Sequence, residues 1–220
     1  MGASRRFGRM LLRVEFREVL SRRRMVRHYL DEPVPEDVLE RILGCIRHAP
    51  SAGFSQGQRL VVVTDPDRRR AIAGLLEEEA RVAEGYEPWL SSAPVHVVVC
   101  TREADYHDRY RKEDKLVEGN EIEWPVPYWF VDAGAAMMAV LMAAIDEGLA
   151  SGFSGVPAEE QAEFRRLLDI PDDVTVVGIA TLGRPAPDPR WSASTSRTTQ
   201  PRRRLDEVVH RERWGGTPTG

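Results

Sequence analysis

The chain has 220 residues and a formal net charge of −4, with a sequence pI of about 5.8. That length suits a single α/β domain with extensions, and the acidic balance argues against a bulk nucleic-acid binder, whose domain is usually basic. The two cysteines, Cys45 and Cys100, fall in apolar-patterned stretches with no C-x-x-C or H-x-x-x-H spacing, which argues against structural zinc and fits small core thiols in a reducing, cytoplasmic compartment.

Residues 1–13 read as a disordered leader, basic and with an apolar run too short for a signal-peptide core. "EFREVLSR" (15–22) predicts a short helix with Phe16, Val19 and Leu20 on one face. "YLDEPVP" breaks it, and Pro35 opens a second helix in which Val38, Leu39, Ile42, Leu43 and Ile46 share a face. "APSAGFSQGQ" (49–58) is a turn-rich loop. "RLVVVTD" is a strand whose unbroken valines predict burial on both faces. "PDRRRAIAGLLEEEARVAE" predicts one amphipathic helix, and "APVHVVVC" a second buried strand with His96 as a core residue. Residues 101–127 are polar and aromatic without a clear period, and so read as a long loop. "YWFVDAGAAMMAVLMAAIDEGLA" is the most apolar helix. Its Asp132 and Asp146 favour a buried helix over a membrane span. "SGFSGV" is a short strand or turn, "PAEEQAEFRRLLDI" a helix, and "VTVVGIATLGRP" a third buried strand. From Pro185 onward no long apolar pattern remains, so an arm at 185–214 runs over a surface and 215–220 is a disordered tail. One domain, 14–214, of α+β class with a small central mixed sheet surrounded by helices is the expected architecture.

The chemistry-bearing pattern is anionic recognition. Arg22, Arg23, Arg24, Arg27 and His28 lie close together, and Arg202, Arg203 and Arg204 form a second cluster, in a chain whose only lysines are Lys112 and Lys115. Guanidinium forks bind phosphate bidentately. Two distant clusters suit one phosphorylated ligand, although a solvated helix end would also be basic. Tyr29 and the "DEP" turn would fix the path of the first cluster. The "PSAGFSQGQ" loop could line a ligand with backbone N–H groups and side-chain amides. No G-x-G-x-x-G, P-loop or G-x-S-x-G motif is present.

In order, these motifs resemble the FMN-dependent nitroreductase family. "RRRMVRHYLDEPVPEDVLERIL" is similar to its opening R-R-S-x-R-x-[FY] segment and "APSAGFSQGQRLVVVTD" to its A-P-S-x-x-N-S-Q-P-W-x-F-V-V-V segment. "EGLASGFSGV", the following helix and "VTVVGIATLGRP" are similar to its glycine-rich turn and closing strand, and "RRRLDEVVH" to its basic C-terminal motif. The resemblance spans Phe16 to Trp214. It implies a nitroreductase-like homodimer with FMN at the subunit interface and the C-terminal arm wrapping the partner. By motif position, Arg23, Arg24 and Arg27 bind the flavin phosphate, ribityl chain or pyrimidine edge, with Met25 in place of the usual serine. Pro50, Ser51 and Gly53 reach the flavin from the other subunit. Ser154 and Gly155 lie near the isoalloxazine, and Arg202 and Arg203 complete the phosphate clamp. Phe54 stands where asparagine is common, and Gly57 and Gln58 replace Pro-Trp, so Phe54, Gln58, Trp124 and Tyr128 are the expected substrate-pocket residues.

The implied activity is transfer of hydride or electrons from NADH or NADPH, through FMN, to a nitro compound, quinone or similar acceptor in ping-pong order, with the cofactor carrying the chemistry. No metal is expected, nor a nucleic-acid or membrane partner. Two other readings stay open: an FMN-dependent dehydrogenase, oxidase or dehalogenase acting on a specialised metabolite, and a non-catalytic flavin- or nucleic-acid-binding module.

Overall fold

A computed structural model describes residues 15–187 and 201–216. The expected leader at 1–13, positions 188–200 of the expected arm, and 217–220 of the expected tail lie outside the described residues. The chain falls into two compact units divided between Ala186 and Pro187.

The first unit is built on four strands: β1 (Gln58–Val63), β2 (Val95–Thr101), β3 (Ala150–Ser154) and β4 (Thr175–Gly183), in the spatial order β1-β2-β4-β3. Every pairing among the described residues is antiparallel, where a mixed sheet was expected. Alternation of strands and helices along a sequence reports that connections are long. It does not report the direction in which a strand enters the sheet. β2 is buried at every position, and its side chains alternate between two cores. Val95, Val97 and Val99 pack with α2 (Glu36–Leu43) and α6 (Tyr128–Asp146), whereas Val98 and Cys100 pack with Ile72 of α3 (Pro66–Leu75) and Phe164 of α7 (Gln161–Leu167). Each fully buried valine or leucine contributes about 1.5–3 kcal/mol relative to exposure. The valine run of β1 had implied the same double burial, but β1 is an edge strand. Among the described residues it has one neighbour, and Val62 is 37% exposed.

Three further expectations change. α1 (Phe16–Arg22) buries Val19, but Phe16 and Leu20 stay 65% and 47% exposed, because among the described residues nothing covers that side of the helix. The helix expected over 66–84 breaks after α3 and resumes as α4 (Glu78–Ala83), with Glu77 in the left-handed region at φ 54°. The break lets the Glu78 carboxylate turn back and accept the backbone N–H groups of Trp89 and Leu90 at 2.7 and 2.5 Å. The segment 101–127 is not a simple loop. It holds α5 (Ala104–Tyr110) and a short 3-10 turn, Glu113–Lys115. α5 buries the ring of Tyr106 rather than an aliphatic stripe, so it left no apolar period to read.

α6 is the one helix among the described residues long and apolar enough to cross a membrane. It lies against the sheet, with Ala133, Ala136, Val140 and Ala144 wholly buried. His96 is a core residue, as its place in the valine strand implied. Its Nε2 lies 2.8 Å from the Leu90 carbonyl, and burial pushes its pKa down to about 4.

The segment that follows α1 docks on the outer edge of β3. Val26 N–H donates to the Ser151 carbonyl at 3.0 Å and Leu30 N–H to Arg184 at 2.9 Å, while Tyr29 forms a bridge with Pro185. Tyr29 thus fixes the path of the segment, as its sequence position suggested. Its buried phenol contacts the Val26 carbonyl and Thr181 Oγ1, both at 2.8 Å, and burial holds its pKa well above the usual tyrosine value. The close approach requires glycine at 152, where a Cβ would stand 2.4 Å from the Val26 carbonyl and 2.8 Å from Thr181 Oγ1.

Gly152→Ala should therefore destabilise the fold by about 1–3 kcal/mol, the usual cost of overpacking, read as a lowered urea midpoint. An unchanged midpoint would mean that the segment yields freely. His96 gives a pH signature. Its folded pKa of about 4 lies below the ordinary 6.5, so the unfolded chain binds the extra proton between those values. Its contribution is complete above pH 6.5 and is lost as pH falls towards 4, by up to about 3 kcal/mol. Urea unfolding of wild type and His96→Gln across that range should show the shallower pH slope in the variant.

Candidate functional site

The expected site residues fall into two groups within the first unit. At the β3 edge, Arg23 is half-buried and Arg24 and Arg27 are exposed. Arg22 is occupied by Glu18, but among the described residues Arg23 and Arg24 have no carboxylate partner. Arg27 Cζ sits 4.9 Å from the ring centre of Trp89, a cation–π contact. Trp89 is itself anchored through Nε1–H to Thr181 Oγ1 at 3.0 Å, and its backbone N–H is taken by Glu78. Met25 is half-buried beside this row, and the Val26–Ser151 bond sets the row against β3. Further along the same strand, Ser154 is half-exposed and Gly155 has open space where a side chain would stand. Among the described residues this edge therefore carries guanidinium groups without a carboxylate partner, together with an accessible backbone, a combination that suits an anionic ligand.

The second group is the loop before β1. Ser51 is extended, and the chain then makes a 3-10 turn, Ala52–Phe54, that closes with left-handed residues: Gly53 at φ 58°, Phe54 at 60° and, beyond it, Gln56 at 53°. Such a conformation is costly for non-glycine residues. Side chains from three other elements hold it. Ala52 N–H donates to Asp132 Oδ2 of α6 at 2.8 Å, and Tyr106 O–H of α5 donates to the same oxygen at 2.9 Å. Arg109 Nε–H donates to the Gly53 carbonyl at 2.9 Å. Gln58 Nε2–H closes the neck of the loop on the Pro50 carbonyl at 2.8 Å, so this expected pocket residue is engaged in holding the loop. Gly53 is required twice over, by its φ and because a Cβ would meet the Tyr110 ring at 2.6 Å. Phe54 projects outward, 73% exposed.

An aromatic cluster backs this loop. Trp124 meets Tyr110, Trp129, Tyr128 and Tyr106 at ring-centre distances from 4.5 to 6.3 Å, and its Nε1–H donates to Glu121 at 2.8 Å. Trp124 is therefore mainly packed, while Tyr128 stands at the rim, 36% exposed. Glu121 also takes Arg111 and His107 at 2.9 and 2.5 Å. It raises the His107 pKa above the ordinary value, and its own carboxyl is held low by Trp124 first and His107 after it.

The arginine segment and the Pro50–Phe54 loop lie at different corners of the sheet, with Ser154, paired to Ile179, in a row between them. Gln58, Thr101 and Thr175 share one row across the sheet, whereas Val63, His96, Thr181 and Gly152 share another. The rows lie five residues apart along β1, or about 17 Å, and β1 and β3 are three strand spacings apart, or about 14 Å. The arginine segment and the Pro50–Phe54 loop thus occupy diagonally opposite corners. In the second unit, described by itself, Arg202 and Arg203 are exposed, whereas Arg204 pairs with Asp206 at 2.8 Å at the start of the short helix α8 (Leu205–Val208).

Sequence reading had not singled out Asp132 as a site residue, nor Tyr106, Arg109, Trp89 or Thr181. Only Asp132 gave a signal, as a lone acid in an apolar helix, and it was read there solely as evidence against a membrane span.

Residues 20–184 match the family model described as Nitroreductase family. The chain is 30% identical over 172 residues to an FMN reductase [NAD(P)H] of Bacillus subtilis, covering 76% of this chain and 64% of that protein. It is 25% identical over 195 residues to a chloronitrobenzene nitroreductase of Comamonas testosteroni, covering 76% and 85%. Among solved structures, B. megaterium NfrA2 superposes with a TM-score of 0.69 at 23% identity, over 90% of this chain and 74% of that one, and so shares the fold. The α+β architecture and the matched length together establish that this chain belongs to the nitroreductase family.

Proposed function

We propose that the protein is an FMN-dependent oxidoreductase that takes reducing equivalents from NADH or NADPH and delivers them in ping-pong order to a small organic acceptor, a nitro compound, quinone or similar. The diagonal separation of the two candidate groups carries the structural part of this reading. One cofactor can use both groups only if they come from two chains, so the site belongs to a homodimer. A face for that partner exists. α6 exposes Val131 at 56% and Met138 at 41%, with Gly134 between them, and α1, which packs on α6, exposes Phe16 and Leu20. Exposed apolar residues on two packed helices suit an interaction site.

The residues present fit FMN. Arg23 and Arg24, which have no carboxylate partner among the described residues, bind the phosphate. Arg27, steadied by Trp89, serves the ring. Ser154 and Gly155 offer backbone to the isoalloxazine. Pro50, Ser51 and Gly53 of the partner subunit close the opposite side and exclude water. Phe54 and Tyr128 give the acceptor an aromatic wall, which favours flat conjugated molecules. Bound FMN supplies the hydride chemistry, while the protein binds, orients and screens. Because both substrates use the same exposed surface in turn, neither needs a separate nicotinamide domain. The free thiols Cys45 and Cys100 fit a cytoplasmic setting.

The test begins with purification, release and identification of the flavin, followed by anaerobic addition of NADH or NADPH to the bound form. Bleaching of the visible flavin band by at least one donor is expected, and bleaching by neither sinks the proposal. In Arg23→Ala with Arg27→Ala, FMN affinity should fall at least about tenfold, since each lost charge-assisted hydrogen bond is worth ~1.5–3 kcal/mol, with the circular dichroism spectrum unchanged. Wild-type affinity in that variant contradicts the assignment.

A further inference from the structure

Asp132 lies in α6 at 7% exposure, in a helix otherwise apolar on its buried side. A polar group in such a place is retained only when it is hydrogen-bonded. Its Oδ2 takes two donors from two different elements: the Ala52 N–H of the loop at 2.8 Å and the Tyr106 hydroxyl of α5 at 2.9 Å. The loop it holds is strained, with Phe54 and Gln56 both in the left-handed region. Phe54 has little packing of its own to compensate, being 73% exposed. The loop closes on itself through Gln56 N–H to Ser51 Oγ at 3.0 Å and Phe54 N–H to the Ser51 carbonyl at 2.9 Å, but these bonds do not tie it to the rest of the fold, and Asp132 is where α6 and α5 both reach it.

We propose that Asp132, steadied by Tyr106, is a positioning residue of the cofactor site: it fixes the Ser51–Phe54 turn in the shape that one protomer presents to the flavin bound by its partner. The proposal rests on the interfacial FMN reading. The arrangement couples three things that one face of the site needs together. Ala52 N–H is fixed from α6, Gly53 is fixed by Arg109 and by contact with the Tyr110 ring, and α5 is tied to both through Tyr106. Asp132 touches neither flavin nor substrate. Its effect reaches them through the backbone of residues 51–54, where a small displacement moves both the flavin-facing backbone and the Phe54 ring.

The test uses the purified full-length protein and FMN itself as the probe, with affinity measured by flavin fluorescence and the environment of the bound flavin by its visible absorption envelope. Asp132→Ala should weaken FMN binding about tenfold, the scale of one lost buried hydrogen bond to a charged or strongly polar group, and should alter the absorption envelope. Asp132→Asn keeps an acceptor oxygen and should recover most of the affinity. Ala52→Pro removes the N–H without touching the core. Ser51, at φ −146° and ψ 142°, already has the extended conformation that a residue before proline adopts, so this variant should fold and lose affinity like Asp132→Ala. Should Asp132→Ala fail to fold, Ala52→Pro alone decides. Wild-type affinity and envelope in Ala52→Pro, or in folded Asp132→Ala, overturn the proposal, as does an Asp132→Asn variant no better than alanine. The Arg23→Ala, Arg27→Ala variant separates the two ideas. FMN retention there overturns the interfacial reading, whereas loss there with unchanged Ala52→Pro overturns the positioning role alone.

Discussion

A four-stranded sheet cannot bring its diagonal corners together. Strand spacing and rise per residue are fixed by backbone hydrogen bonding, and the order β1-β2-β4-β3 puts β1 and β3 at opposite edges. The arginine segment is docked on one edge and the Pro50–Phe54 loop leads into the other, at the far end of the strands. Every feature of the candidate site follows from that separation. Each corner is made rigid by its own local network.

The two corners are made rigid by different means. At the β3 edge the support is a hydroxyl network. Thr181 Oγ1 lies 2.8 Å from the Tyr29 hydroxyl and 3.0 Å from Trp89 Nε1, so one buried side chain steadies both the segment that carries Arg27 and the ring beneath it. Glycine at 152 allows the segment to lie directly on the strand. At the other corner the support is a polar side chain rising from an apolar helix, Asp132, together with α5. There the backbone is strained, and hydrogen bonds within the loop and from α5 and α6 maintain it. Strain held by surrounding structure is a recurrent property of functional loops.

α6 connects these arrangements. Its alanines let it lie close to β2 and β4, Asp132 reaches the loop, and its outer side remains apolar and exposed through Val131 and Met138. A helix apolar nearly all round is normally buried on all sides. Here the sheet and α2 cover much of it, and Val131 and Met138 remain exposed among the described residues. The polar core groups elsewhere serve the scaffold. Arg69 is buried, and its guanidinium donates to the carbonyls of Thr64, Ser91 and Ala93 at 3.3, 3.3 and 2.6 Å, which fastens the turn that holds Trp89.

The sequence by itself determined the helices with a clear apolar face, the doubly buried β2 and β4, and the core place of His96, because periodicity and residue type report burial directly. It also showed arginine concentrated in two clusters, and four ordered motifs carried the family resemblance. Tertiary structure alone decided that β1 is an edge strand, since a run of valines reports hydrophobicity and not the number of neighbours a strand has. Likewise it decided that every described pairing is antiparallel, that a helix lies hidden in 104–110, and that Glu77 splits another. Asp132, Tyr106, Arg109 and Trp89 act through contacts with residues distant in the chain. One carboxylate in an apolar helix carries no mark in sequence of the loop N–H it will accept, because that partner is chosen only when α5, α6 and the loop come together.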